Sequence, residues 1–259
     1  MQKSEAFDRV SMAGKVVTVT GGGRGIGAAT ARLCAARGAS VVIADLDEEP
    51  GNETVTEIQR DGGTAAFIRT DVTQEDDVRA MVDFAVSTFG GLHASFNNAG
   101  TNLANLIVTE VPLEQWQRNL SINLTSVFLC VKYQITHMLA NGGGSIVNNS
   151  SAAGVVGMPK LIDYTAAKHG VIGVTRAMAA EMSGQGIRVN AIVTGATETR
   201  LSADYMKQPD LRAMLEGAHP IGRIGKPHEL AETVSWLLSD AASFVTGSCV
   251  AVDGGYTAM

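Results

Sequence analysis

KVVTVTGGGRGIG, residues 15–27, is a β-branched run that ends in three consecutive glycines and then opens an alanine-rich helical segment. Its first six residues lack helical period, so the order is strand, tight turn, helix N-terminus. Glycine permits positive φ and lets a ligand approach the backbone with no Cβ in the way, while the free N–H groups at a helix start carry partial positive charge. That combination suits a phosphate. Gly23, Gly25 and Ala28 fit the G-x-G-x-x-A form, and Gly21, Gly25 and Gly27 fit a second spacing; a purely structural turn is the alternative reading. Asp45, twenty residues after Gly25 at the end of the apolar run 40–44, favours dinucleotide binding, because an acid there can accept both hydroxyls of an adenosine ribose.

Outward from this stretch, helical and extended segments alternate. Residues 47–60 read as a charged helix ended by Gly62-Gly63, 64–69 as a third strand, and 73–89 as an amphipathic helix with Glu75, Asp76 and Asp77 in its first turn. A fourth strand, 92–96, runs into Asn97-Asn98-Ala99-Gly100, and 113–139 reads as one long helix with Asn123 among Leu120, Ile122, Leu124, Val127, Phe128 and Val131. A buried Asn costs stability unless paired, so a partner is expected. Residues 144–151 form a fifth strand, a helix from Tyr164 extends to about Met182, and 187–193 form the sixth strand, ending at Thr194-Gly195. A variable region, 196–220, carries a short helix over 204–215; 227–238 is the last helix and 248–252 the last strand. Seven strands alternating with helices imply right-handed crossovers and a doubly wound parallel sheet, an α/β Rossmann-like fold.

The composition narrows the function. Twenty basic against twenty-six acidic residues give a net charge of −6, with no basic cluster, which argues against a nucleic-acid surface. Cys34, Cys130 and Cys249 are odd in number and widely spaced, the pattern of free thiols in a reducing cytoplasm. His93, His137, His169, His219 and His228 are dispersed and no C-x-x-C is present, so no metal site is expected. No signal peptide or membrane span is evident, and no linker interrupts the chain. The expectation is a cytoplasmic protein with a flexible segment at 1–13 and one catalytic domain over 14–259, including a substrate lid at about 196–220.

Tyr164 and Lys168 stand at i and i+4 on one helical face, beyond a strand end that bears Ser151 and downstream of the glycine loop. Ser150 and Ser151 point to opposite faces of their strand, so only one of them can serve a site. With Asn123 in the intervening helix, this assembly resembles the short-chain dehydrogenase/reductase family over nearly the whole chain, from Gly14 to Tyr256. The family's glycine motif is matched by Thr20 to Gly27, its adenine-side acid by Asp71, its Asn-Asn-Ala-Gly by Asn97 to Gly100, and its catalytic tetrad by Asn123, Ser151, Tyr164 and Lys168. The family's spacing of thirteen residues before the tyrosine selects Ser151. The segment 222–248, followed by VDGGY, resembles members that oxidise secondary and cyclic alcohols or diols.

The resemblance implies hydride transfer between a carbinol carbon and a nicotinamide. Tyr164 would be the base that takes the hydroxyl proton; bringing a phenol from about 10 to about 7 requires ~4 kcal/mol of differential stabilisation, which Lys168 and the positive nicotinamide can supply. Ser151 would donate to the substrate oxygen, Lys168 would also bind the nicotinamide ribose, and Asn123 would hold a water that relays the proton outward. Cofactor contacts implied by the same match are Gly21, Arg24, Gly25, Ile26, Gly27, Asp45, Leu46, Asp71, Val72, Asn98, Ala99, Gly100, Thr197 and Thr199, beside Tyr164 and Lys168.

NAD is expected over NADP, because a 2′-phosphate beside Asp45 meets repulsion of up to ~4 kcal/mol per charge pair at 4 Å. Arg24 keeps NADP open, since a basic residue before the second motif glycine occurs in NADP-using relatives. One departure is Thr194-Gly195 in place of the family's Pro-Gly, which frees φ at that turn. The substrate walls are expected from 152–162 and 196–220, with Val155, Val156, Met158, Leu161, Ile162, Leu201, Met206, Met214 and Leu215, implying a neutral hydrophobic alcohol or ketone, cyclic alcohols included. Lys160 and Arg200 are the side chains there that could meet an acidic group. Two competing functions share the motifs: an NADPH-dependent 3-ketoacyl-thioester reductase, which would want a basic residue at Asp45, and a non-catalytic dinucleotide-sensing protein, which would not need the Tyr-Lys pair. Small and apolar outer positions on the helices from Leu113 and Tyr164 point to a homo-oligomer, by resemblance a homotetramer.

Overall fold

The computed structural model describes residues 9–103, 105–199, 202–203 and 207–259. Seven strands form one parallel sheet in the order β3-β2-β1-β4-β5-β6-β7: β1 Val16–Thr20, β2 Ser40–Asp45, β3 Thr64–Arg69, β4 Ala94–Asn97, β5 Gly144–Asn149, β6 Ile187–Thr194 and β7 Cys249–Val252. The chain winds from β1 out to β3 and then crosses back to place β4 beside β1, with Val17 opposite Ala94. Ligand crevices of doubly wound sheets open at such a reversal, outside the strands' carboxyl ends. β1 is buried along its whole length, as a strand covered on both faces must be.

The helices divide between two layers. On one face α3 Glu75–Phe89, α5 Ser126–Ala140 and α6 Ile162–Met182 close a core around Val42, Met81, Val131, Ile146 and Val171. On the other, α1 Gly25–Ala36, α2 Glu48–Arg60 and α8 Pro227–Leu238 pack on Val17, Val41, Phe96 and Val147. A short helix, α4 Leu113–Leu120, precedes α5, and α7 Pro209–Gly217 lies in the segment before α8. A buried amide network ties the first layer to the sheet: Asn97 and Gln134 exchange hydrogen bonds at 2.7 and 3.1 Å, Asn97 donates to Asn148, and Asn148 donates to the Thr175 hydroxyl. Buried polar groups satisfied in this way fix register.

Several elements differ from the sequence expectation. The long helix over 113–139 is broken by a π-helical turn, Ser121–Thr125, which hydrophobic period cannot reveal because it inserts one residue without changing the apolar composition. Phe128, expected on the apolar face, is 51% exposed. The short helix expected over 204–215 is seen as α7, and its expected start at Asp204 lies outside the described residues. Met12, within the segment expected to fray, is fully buried and its N–H donates to the Arg37 carbonyl. Cys34 and Cys130 are buried free thiols, while Cys249 is half-buried.

Candidate functional site

The glycine loop after β1 leaves the N–H groups of Gly25, Ile26 and Gly27 at the open end of a 12-residue helix whose N-cap residue, Arg24, makes no side-chain cap. Gly21 and Gly25 adopt positive φ, +61° and +56°. A Cβ on Gly27 would lie 2.1 Å from the Gly21 carbonyl oxygen, so only glycine lets the helix start this close to β1. These features suit a phosphate group.

Beside it lies a cavity of about 560 Å³ walled by Gly21, Arg24, Asp45, Leu46, Asp71 and Val72, together with Thr70, Thr73, Ala99, Gly100, Thr101, Arg118, Ser121 and Ile122. Asp45 is held at its mouth: Oδ2 accepts from Gly23 N at 2.9 Å and Oδ1 from Asp47 N at 3.1 Å. Asp71 Oδ1 accepts from the Thr73 amide and hydroxyl. The pattern suits an adenosine, with an acid toward the ribose and a second toward the base.

A second cavity, about 200 Å³, continues from the first through Gly21, Arg24, Ala99, Gly100 and Thr101 and is lined by Gly25, Ile26, Asn98, Asn123, Asn149, Tyr164, Lys168 and Thr199. The two strand-end loops are pinned together by Asn98, whose Nδ2 donates to the carbonyls of Thr20 and Gly21 and whose Oδ1 accepts from Asn149 Nδ2. No motif in the sequence singles out Asn149, although the carboxyl end of β5 is where a ligand-facing polar residue belongs. Its backbone oxygen accepts from Lys168 Nζ at 2.8 Å, and its Oδ1 is buried with no partner, a free acceptor in the wall of the cavity. The glycine cradle, the acids and this orphaned acceptor fit a dinucleotide along the connected groove.

Lys168 is 3% exposed, and burial brings its ammonium down to about 8. Its Nζ sits 5.5 Å from the Tyr164 ring centroid, as the i, i+4 spacing requires. Burial pushes the Tyr164 phenol up, and a hydrogen bond with Ser151 pulls the other way. In the protein itself the phenol is therefore not lowered toward neutrality; that shift has to come from charge brought by a ligand. Ser150 and Ser151 separate as their alternation requires: Ser150 Oγ is buried and donates to the Lys168 carbonyl, while Ser151 Oγ accepts from Ala153 N at 3.2 Å and faces the tyrosine.

Asn123 lies in the π turn, fully buried. Nδ2 donates to the Thr101 carbonyl and to Asn119, and Oδ1 accepts from Thr101 N, so both amide hydrogens are committed and one lone pair remains. A Cβ on Gly100 would lie 2.7 Å from Asn123 Oδ1 and 3.6 Å from Lys168 Nζ, which places both the amide and the ammonium next to one glycine.

The turn after β6 compensates for its missing proline. Thr194 Oγ1 donates to the Ser150 carbonyl at 3.2 Å, and Ala196 N donates to His219 Nε2 at 3.1 Å. Thr197 is buried and its hydroxyl donates to the Gly195 carbonyl, away from the cavity residues; Thr199 meets the groove, its methyl 3.2 Å from where a Gly25 Cβ would stand. Of the expected substrate walls, Val155, Ile162 and Met214 are exposed and Met158 accepts from the Tyr256 hydroxyl, whereas Arg200, Leu201 and Met206 lie outside the described residues. Lys160 is exposed in a left-handed conformation, φ +65°. Among the described residues no group of three His, Cys, Asp or Glu could hold a metal ion, and no helix is long and apolar enough to cross a membrane.

Comparison with known proteins converges on one family. Residues 21–257 match a family model described as enoyl-(acyl carrier protein) reductase, a short-chain dehydrogenase group. The chain is 50% identical over 250 residues to a 2,5-dichloro-2,5-cyclohexadiene-1,4-diol dehydrogenase from Sphingobium indicum, covering 96% of this chain and 99% of that one. It is 45% identical to a cyclohexanol dehydrogenase from an Acinetobacter strain, covering 94% and 95%. A solved short-chain dehydrogenase/reductase from Mycobacterium marinum superposes with a TM-score of 0.93 at 35% identity, covering 98% and 100%. The chain belongs to the short-chain dehydrogenase/reductase family and is an NAD(P)-dependent alcohol dehydrogenase/ketone reductase.

Proposed function

We propose that the protein oxidises a hydrophobic, cyclic secondary alcohol to its ketone with NAD, and runs the reverse reaction, with Tyr164 as the general acid/base. The observation that carries this reading is the convergence of Tyr164, Lys168 and Asn123 on the cavity that continues from the glycine loop. The relatives named for cyclohexanol and a cyclohexadiene diol support a cyclic substrate.

A bound nicotinamide would supply the hydride acceptor and a positive charge. The Tyr164 oxygen takes the hydroxyl proton during oxidation and returns it during reduction. Ser151 holds the reacting oxygen by a hydrogen bond and stabilises the phenolate. Lys168 favours that phenolate by its charge, anchored on the Asn149 carbonyl. Asn123 offers its remaining lone pair to a water on the outward path of the proton. Asp45 accepts the adenosine ribose hydroxyls and disfavours a 2′-phosphate, the basis for NAD over NADP. We also propose that 14–259 acts as one catalytic unit with its lid over 196–220, that it works in the cytoplasm, and that it assembles as a homotetramer.

The test is a screen of secondary alcohols and ketones, followed at the reduced-nicotinamide absorbance, with wild type and Tyr164→Phe. The variant is expected to bind cofactor like wild type and to lose about 10²–10⁴ in kcat/KM. Unchanged turnover would refute the role of Tyr164, and a higher wild-type kcat/KM with NADP would refute the cofactor assignment. Faster NADPH-dependent turnover of a 3-ketoacyl thioester than of any cyclic ketone would replace this reading with the thioester reductase, whereas cofactor binding without turnover of any alcohol or ketone would favour the sensor.

A further inference from the structure

Arg24 is the cation that the glycine loop places beside the ribose-side acid, and Asp47 engages it. Nη1 of Arg24 donates to Asp47 Oδ2 at 2.8 Å. Asp47 occupies the N-cap position of α2 with extended φ and ψ, where an aspartate ordinarily accepts from its own helix, yet it makes no side-chain cap. Its backbone N–H meanwhile donates to Asp45 Oδ1. Gly23, Asp45, Asp47 and Arg24 are thus linked in one chain of contacts, and Asp45 and Arg24 of that chain line the cavity.

We propose that Asp47 is a specificity-determining residue that withholds Arg24 from a 2′-phosphate, so that the choice between NAD and NADP is made by Asp45 and Asp47 acting together. The proposal rests on the NAD preference argued above. A 2′-phosphate carries between one and two negative charges near neutral pH and would need an uncommitted cation. Arg24 is the guanidinium in reach of Asp45's neighbour, and here it is already neutralised. An exposed ion pair is a weak one, and these side chains are 45% and 52% exposed, so the release of Arg24 is worth a modest change in affinity, and the lost Asp47 charge adds a smaller one. Removing that charge both releases Arg24 and deletes one repulsion.

The measurement is calorimetric titration of the cofactor-free protein with adenosine 5′-monophosphate and adenosine 2′,5′-bisphosphate, which differ only by the 2′-phosphate. Asp47→Asn is the chosen change, because Asn caps a helix as well as Asp does and keeps the fold. It is expected to tighten binding of the bisphosphate about tenfold and leave the monophosphate within twofold, and the double variant with Arg24→Ala is expected to lose most of that gain. An unchanged ratio in Asp47→Asn, or a gain that survives without Arg24, overturns the proposal. The wild-type ratio reads the NAD preference separately: a wild type that already prefers the bisphosphate defeats that preference, whatever Asp47→Asn does. Monophosphate binding also reports that each variant is folded.

Discussion

At the scale of the residue, Lys168 shows what the site costs the fold. Its ammonium ordinarily titrates near 10.5 and in the folded protein near 8, because it is buried. Between those values the unfolded chain holds a proton that the folded chain does not, so this residue makes stability rise with pH across that window and carries its full burial penalty below about 8. The penalty amounts to about 3 kcal/mol, offset by about 1–2 kcal/mol for the hydrogen bond to Asn149. Lys168→Met is therefore expected to be inactive and yet about 1–2 kcal/mol more stable than wild type at pH 7, with the advantage vanishing by pH 10. Urea unfolding at the two pH values checks this; a less stable variant at pH 7, or a gap that ignores pH, contradicts the burial argument. The Tyr-Lys pair was legible because i, i+4 spacing fixes the contact whatever the tertiary structure. Asn149 and Asp47 were not, since each acts through a backbone group or an ion pair made only after β5 and α2 are docked.

At the scale of the element, the strand-loop-helix unit at the start of the chain is built around one steric constraint. A Cβ at Gly27 would meet the Gly21 oxygen at 2.1 Å and Asn98 Nδ2 at 2.7 Å, both parts of the bracket that joins the loops after β1 and β4. Gly27→Ala must push α1 away from that bracket, at a cost of about 1–3 kcal/mol, and the displaced N–H groups would lose their aim at the proposed phosphate position. Dinucleotide affinity is expected to fall at least tenfold, by fluorescence titration, and full retention of affinity would show that the helix start is not the phosphate site. The unit was legible because glycines, β-branched residues and helix formers each favour the conformation they adopt here. The π turn carrying Asn123 was not: the sequence signalled a buried amide in need of a partner, but Thr101 and Asn119 become its partners only through a local widening of the helix that no residue pattern announces.

At the scale of the whole molecule, the alternation of strands and helices leaves few arrangements, because right-handed crossovers and a single reversal point fix the order β3-β2-β1-β4-β5-β6-β7. The proposed assembly is different in kind, since residues that would mediate it need satisfy no partner within one chain. Exposed aromatic side chains lie at two separate places. On α5, Phe128 and Leu139, eleven residues apart and so on the same helical face, are 51% and 42% exposed; beyond α8, close to the Asp240–Ala242 turn, Phe244 is fully exposed. One self-complementary patch makes a dimer, and two independent ones make a closed tetramer with dihedral symmetry. The wild type is accordingly expected to have about four times the 27.0 kDa chain mass by light scattering. Phe128→Glu and Phe244→Glu are each expected to give dimers, and the double variant monomers. If the two single changes and the double all give the same species, the patches belong to one interface, and a monomeric wild type removes the case for assembly.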